Sequence, residues 1–258
     1  MLIDSHCHLD RIDLKPYEND FNNFMLDVKA KQIEHLLCIS IDLETYPKML
    51  SLVEDYKNIS VTVGVHPNAQ EGVNPSIDEL INFANSSKVV GIGETGLDYF
   101  RSEGNLEWQK QRFRDHIEVA KALSKPIIIH TREAKVDTLK ILKEENAEQV
   151  GGVIHCFTED WNFAKAAMDM NFYISFSGIV TFNKTDTIKE VAKKMPANRI
   201  LIETDSPYLA PIPFRGKPNY PLYVKYVAEQ LATIRSVSID NIAESTSNNF
   251  YELFKLNA

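Results

Sequence analysis

The chain has 258 residues and a net charge of −8, with 36 Asp and Glu against 28 Lys and Arg. This length suits one large α/β domain, and the acidic balance argues against a broad electropositive face that grips duplex DNA non-specifically, while a polyanion could still be met by bound cations and a few local arginines. There is no run of 18 apolar residues, no signal-peptide pattern at the start and no C-x-x-C among Cys7, Cys38 and Cys156, so the expectation is a cytoplasmic protein with reduced thiols and no membrane segment.

Short β-branched, apolar runs recur along the chain: LIDSH (2–6), LLCISI (36–41), VTVGVH (61–66), VVGIGE (89–94), PIIIH (126–130), GGVIHCF (151–157), FYISFSG (172–178) and ILIETDS (200–206). Continuous apolar runs of this length are expected of parallel strands buried on both faces. Helical spacing appears between them, at 107–124 (Trp108, Phe113, Ile117, Ala120), 187–195 and 223–234. Eight strands alternating with helices predict a single-domain (β/α)8 TIM barrel over 1–258. A doubly wound open sheet is the alternative, but eight is the number a barrel needs.

The polar residues fall at the ends of these runs. His6 ends the first, with His8 two beyond; His66, Glu94 and His130 end the third, fourth and fifth; His155 lies near the end of the sixth, and Glu203 and Asp205 near the end of the eighth. A barrel places the carboxyl ends of its strands around one mouth, so residues two hundred positions apart would converge. In an extended chain His6 and His8 aim at one point while Cys7 turns away. Imidazole and carboxylate donors together suit zinc, manganese or a similar divalent ion, and a carboxylate at Glu94 could bridge two of them. His66, followed by Pro67, is read as a substrate contact outside the ligand set. His35 is read as structural, at the bottom of the barrel, and His116, mid-helix, as a surface or packing residue. GIGETG (91–96) does not open a helix as a nucleotide loop would, and Gly91 and Gly93 are read as relieving crowding in the barrel. No G-x-S-x-G is present.

DSHCHLD (4–10), GVHP (64–67), GETGLDYFR (93–101), PIIIHTREA (126–134), GVIHCFTE (152–159) and ETDSPYLAPIPFRGKPN (203–219) resemble, in order, the motifs of the TatD family of metal-dependent deoxyribonucleases. The resemblance implies a TIM barrel of the amidohydrolase superfamily, two divalent ions per chain (Mg, Mn or Zn) and hydrolysis of phosphodiester bonds in DNA. It implies that His6, His8 and Asp205 hold one ion, His130 and His155 the other, and Glu94 bridges them. Asn68 stands where the family often has histidine, and Tyr220 where glutamate is usual.

On that basis Asp205 is expected to act as general base with Glu94 as the bridging carboxylate, and Glu203 to orient a ligand histidine. Arg101, Arg132, Arg215 and Lys217, with His66, are candidates for phosphate oxygens, and Tyr99, Phe100 and Phe214 for stacking on a base. The expected substrate is a DNA strand end or single strand, with no obligate protein partner. Neutral histidine ligands imply activity that falls as pH drops through about 6. Two alternatives remain at this stage. One is an amidohydrolase-type enzyme acting on a small amide, lactone or phosphoester, although such sites often carry a carbamylated lysine where this chain has Glu94. The other is a binding module without catalysis.

Overall fold

A computed structural model describes residues 1–69 and 74–256. Among these residues, β1 (Leu2–Cys7), β2 (Ile33–Cys38), β3 (Ile59–Val63), β4 (Val89–Asp98), β5 (Ile127–Arg132), β6 (Gly152–Ile154), β7 (Phe172–Phe176) and β8 (Ile200–Ile202) form one parallel sheet in sequential order. The helices are α1 (Phe21–Ala30), α2 (Tyr46–Val53), α3 (Ile77–Phe83), α4 (Glu107–Leu123), α5 (Lys135–Glu144), α6 (Trp161–Asp169), α7 (Asp186–Lys194), α8 (Val224–Arg235) and α9 (Ile239–Phe254). Several begin where a polar side chain accepts the first free amide: Asp20 from Asn22, Ser76 from Glu79, Asp160 from Phe163 and Ser238 from Asn241. No helix among the described residues is long and apolar enough to cross a membrane.

The sheet closes through β1 and β8. The His8 amide donates to Ser206 O at 2.8 Å and the Asp205 amide to His6 O at 2.9 Å, and Cys7 bridges Ser206 in parallel. Lower in the same seam, Ser5 Oγ donates to Ile202 O at 2.9 Å, and Asp4 accepts from the Thr204 amide and hydroxyl at 2.9 and 2.5 Å. The seam that makes the sheet a barrel thus runs through His6, His8 and Asp205.

Two apolar layers hold the barrel. One lies between sheet and helices. The other fills the interior below the mouth, where Ile3, Leu37, Val90, Ile128, Val153, Tyr173 and Leu201 meet Phe250, Leu253 and Phe254 of α9. Spacings of three and four put those last three on one face of the helix, so α9 closes the amino end of the barrel.

The strands differ from the expected runs in an informative way. β2 begins three residues earlier than the expected run, so His35 lies inside it rather than before it, with Nε2 2.9 Å from Ser60 Oγ and its ring against Phe250. β6 and β8 stop before His155, Glu203 and Asp205, because the backbone leaves the ladder there: Cys156 and Asp205 have φ of +44° and +57°. Gly93 has φ of +135°, and a Cβ there would lie 2.6 Å from Ile128 O. Its lack of a side chain is a requirement of backbone conformation and close strand approach. At Gly91 a Cβ would lie 2.7 Å from Ile128 Cδ1, as the crowding argument expects.

His35 and His116 are both buried away from the mouth. His116 Nε2 accepts from the Val65 amide at 3.0 Å, so its proton is on Nδ1, which donates to Arg112 O at 2.8 Å. Burial pushes both imidazoles down to about 4, helped for His35 by Lys88. A histidine lowered in the folded state stabilises fully above its unfolded value near 6.5, and that stability is lost as pH falls toward 4. The unfolded chain takes up the proton first. The limit is about 3 kcal/mol for each histidine. Urea midpoints of metal-free protein are therefore expected to fall between pH 7.5 and 5, and to fall less in His116→Gln. Equal slopes for the two proteins would remove His116 from this account.

Candidate metal centre

The structure brings His6, His8, His66, Glu94, His130, His155, Glu203 and Asp205 to one mouth. Glu94 is at its centre, 2% exposed. Its Oε1 is 2.7 Å from His155 Nε2, 3.1 Å from His130 Nδ1 and 3.2 Å from His66 Nε2, and its Oε2 is 3.3 Å from His6 Nε2. Asp205 Oδ1 is 3.5 Å from His8 Nε2 and 3.6 Å from His6 Nε2. Burial pushes the Glu94 carboxyl up, but His155, His66 and His6, with a bond from His130, outweigh it and hold it well below the usual carboxylate range. Asp205 is also lowered: burial raises it, and the bond from His8 and the charges of His6 and His155 overcome that.

The outer hydrogen bonds fix which ring nitrogen faces inward, where it meets the carboxylates as an N–H in the metal-free centre and would meet a cation as a lone pair once that proton is displaced. His8 Nδ1 donates to Ile39 O at 3.1 Å, which leaves Nε2 to face Asp205. His155 Nδ1 donates to Glu203 Oε1 at 3.3 Å, and the Cys156 amide holds that oxygen at 2.7 Å, so Nε2 faces Glu94. His130 Nε2 donates to Asp98 Oδ2 at 3.1 Å, which turns Nδ1 inward. These are the arrangements of metal-binding imidazoles, each oriented by an acceptor on its far nitrogen.

His66 is wired the other way. Its Nδ1 accepts the Asn68 amide at 2.9 Å, so in the neutral ring the proton sits on Nε2 and points at Glu94. A nitrogen carrying a proton cannot ligate a cation, although His66, Glu94 and His130 lie close enough to form a ligand group. Its wiring suits a hydrogen-bond donor.

His6 supplies the test of whether the residues fit a metal. Both its ring nitrogens are fully buried, and neither is in hydrogen-bond geometry with any partner, although Glu94 is within ion-pair distance. Leaving such a group unpaired costs about 1–3 kcal/mol. A cation among His6, His8 and Asp205, which form a ligand group, would take up Nε2 and remove that nitrogen's share of the cost. A second compact trio is His130 Nδ1, His155 Nε2 and Glu94 Oε1, with mutual distances of 3.1, 3.4 and 2.7 Å. The donor set therefore fits divalent cations.

The expected phosphate contacts make their bonds with loop neighbours. The Arg132 guanidinium lies 3.8 Å over the Phe100 ring and that of Arg215 3.8 Å over Phe182. Arg101 and Lys217 are exposed, their amides bound to Asp98 Oδ1 and Phe214 O. Phe100 remains 56% exposed. Phe214 is stacked on Tyr223 at 4.1 Å, and the Tyr99 hydroxyl donates to Asp137, so both aromatics are engaged in packing. Tyr220 reaches Asp13 O through its hydroxyl at 2.9 Å, and buried Asn219 ties Thr204 O and Tyr208 O together.

Sequence reasoning missed Asp98, the acceptor for His130, which also accepts from Asn68 Nδ2 at 3.0 Å. It lies four residues beyond Glu94 in the same strand, hence on the same face, and that even spacing was the available signal. It also missed Asp4. Burial lifts that carboxyl to about 8 against the bonds from Thr204.

Residues 3–255 match the family model described as TatD related DNase. Over 257 residues the chain is 42% identical to the uncharacterized metal-dependent hydrolase YcfH of Escherichia coli, covering 100% of this chain and 97% of that one. It is 42% identical over 258 residues to the uncharacterized metal-dependent hydrolase YabD of Bacillus subtilis, covering 100% of both. Among solved structures, the TatD homologue YjjV from Escherichia coli matches with a TM-score of 0.89 at 26% identity, over 99% of this chain and 98% of that one. Since these matches run through every strand that feeds the mouth, where imidazoles and carboxylates are arranged as a cation would require, this chain belongs to the TatD family of metal-dependent hydrolases.

Proposed function

We propose that the whole barrel, 1–258, is a cytoplasmic deoxyribonuclease that hydrolyses phosphodiester bonds at a DNA strand end or in a single strand. The observation that carries this reading is the division of labour among the histidines. His8, His130 and His155 turn inward a nitrogen that a cation can meet as a lone pair, while His66 turns an N–H inward. A phosphodiester needs both kinds of group. Two divalent ions, Mg, Mn or Zn, held by His6, His8 and Asp205 and by His130 and His155, with Glu94 between, would acidify a water and neutralise phosphate charge.

The protein's own groups do the rest. The Asp205 carboxylate takes the proton from the attacking water as the new P–O bond forms, and returns it to the sugar oxygen that leaves as the scissile P–O bond breaks. The Asp205 carboxyl is held ionised and its side chain is 14% exposed at the mouth. His66 Nε2–H donates to a non-bridging phosphate oxygen, shifting from Glu94 as substrate enters. Glu203 keeps His155 in the tautomer that faces inward. Arg132 and Arg215, each with its face on a phenyl ring, keep their N–H edges for backbone phosphates on either side of the mouth, with Arg101 and Lys217 further out. Phe100, backed by Arg132, offers its ring to an unpaired base. A few arginines and a lysine beside the mouth, in a chain of net charge −8, suit a strand end or single strand better than the length of a duplex.

The test is competitive. A 3′-labelled single strand, its duplex and a cyclic amide are incubated with protein carrying Mg²⁺, Mn²⁺ or Zn²⁺ in turn. The single strand is expected to be shortened fastest. Turnover of the cyclic amide with both DNA forms intact would replace the nuclease reading with the amide-hydrolase one.

A further inference from the structure

α4 is an outer helix, yet Gln109, Arg112 and His116 are 0%, 1% and 0% exposed. Spacings of three and four put them on one face, turned toward the barrel. Polar groups buried to this degree persist only when they are hydrogen-bonded. Their partners lie mostly in the backbone of the two loops that flank Glu94.

Gln109 Oε1 accepts from the Asp98 amide at 3.0 Å, and its Nε2 donates to Pro67 O at 3.0 Å and Ser102 Oγ at 2.8 Å. Arg112 Nη1 donates to His66 O at 3.0 Å and Ala69 O at 3.2 Å, and its Nε donates to Asn74 Oδ1 at 2.8 Å. His116 Nε2 accepts from the Val65 amide at 3.0 Å. The polar backbone around His66, from Val65 to Ala69, is thus read out by one helix face. The same face fixes Asp98, which orients His130. β3 has already ended at Val63, so this stretch lies beyond the β3 ladder.

We propose that Gln109, Arg112 and His116 are positioning residues for one half of the metal centre. They set the His66 N–H on Glu94 and the Asp98 acceptor on His130, and so hold the trio of His130, His155 and Glu94. The other half, His6, His8 and Asp205, is held by the β1–β8 seam, and among the described residues its recorded hydrogen bonds do not involve α4. The inference rests on the two-cation reading above. It predicts that damage to the α4 face weakens the His130–His155 side more than the other, with which it shares only Glu94, whereas a general loosening of the fold would weaken both alike.

Gln109→Met keeps the side chain's length and removes its hydrogen bonds. Calorimetric titration with Mn²⁺ is expected to show one site weakened by about tenfold or more and the other weakened clearly less. Nitrogen-15 spectra of the histidine rings in metal-free protein are expected to show His66 passing from the Nε2–H tautomer to a mixture. His116→Gln retains an acceptor for the Val65 amide and is expected to behave as wild type in both measurements. His116→Leu removes the acceptor and is expected to resemble Gln109→Met, which keeps the proposal testable if either variant folds poorly. Equal weakening of both sites in Gln109→Met and His116→Leu, or an unchanged His66 ring in both, would overturn it. If wild-type protein binds a single Mn²⁺, the two-cation reading fails, while the His66 spectra of metal-free protein still decide the positioning role.

Discussion

Glu94→Gln is expected to lower turnover of a labelled single strand by at least about a thousandfold, which corresponds to roughly 4 kcal/mol of transition-state stabilisation. The substitution conserves shape and leaves the backbone bond from the Glu94 amide to Ser40 O in place. It removes the one negative charge faced by His6, His66, His130 and His155 together. With a neutral amide there, the two trios lose the carboxylate that links them, and one oxygen becomes an NH2 donor turned toward the inward lone pairs. The barrel core is untouched, so the urea midpoint of the metal-free variant is expected to correspond to wild type within about 2 kcal/mol. The pair of measurements separates a chemical loss from a folding loss. Retention of more than a tenth of wild-type turnover by Glu94→Gln would take Glu94 out of the centre of the mechanism.

Metal removal should have an effect of the same size. Dialysis against a chelator is expected to abolish hydrolysis, and one of Mg²⁺, Mn²⁺ or Zn²⁺ is expected to restore it. The physical reason lies in the donor set: His6 is buried with both ring nitrogens out of hydrogen-bond geometry, and its neighbours His8 and Asp205 converge on the same point. A cation bound to the folded chain and not to the unfolded chain stabilises it by mass action. The restoring ion should therefore also raise the urea midpoint, in proportion to the logarithm of its concentration. Full activity after chelation, with metal content verified as zero, would defeat the reading that the mouth works through bound cations.

Legibility in the sequence followed the kind of interaction. The eight apolar runs were visible because strands buried on both faces must be apolar throughout. The ligand candidates were visible because a polar residue ending such a run breaks its pattern. Asp98 is harder to find, since it lies past Glu94 in a strand that runs to ten residues, beyond the end of the apolar run VVGIGE. α9 was missed for another reason. Its apolar face covers the bottom of a barrel whose shape the helix's own sequence does not encode, and Phe250, Leu253 and Phe254 have meaning only against Ile3, Leu37 and Val90.

The resemblance carried by the motifs pointed to a family, and the whole-length matches bear it out. What the sequence by itself determined is therefore the barrel and the inventory at its mouth, because apolar runs and the polar residues that end them can be read along a chain. Only the tertiary structure decided what each imidazole can do there. Whether a ring nitrogen offers a lone pair or a proton depends on the group bonded to its other nitrogen: Ile39 O for His8, Glu203 for His155, Asp98 for His130 and the Asn68 amide for His66. Apart from Asn68 beside His66, those partners come from other strands or the loops beyond them, brought within 3.3 Å only when the barrel closes.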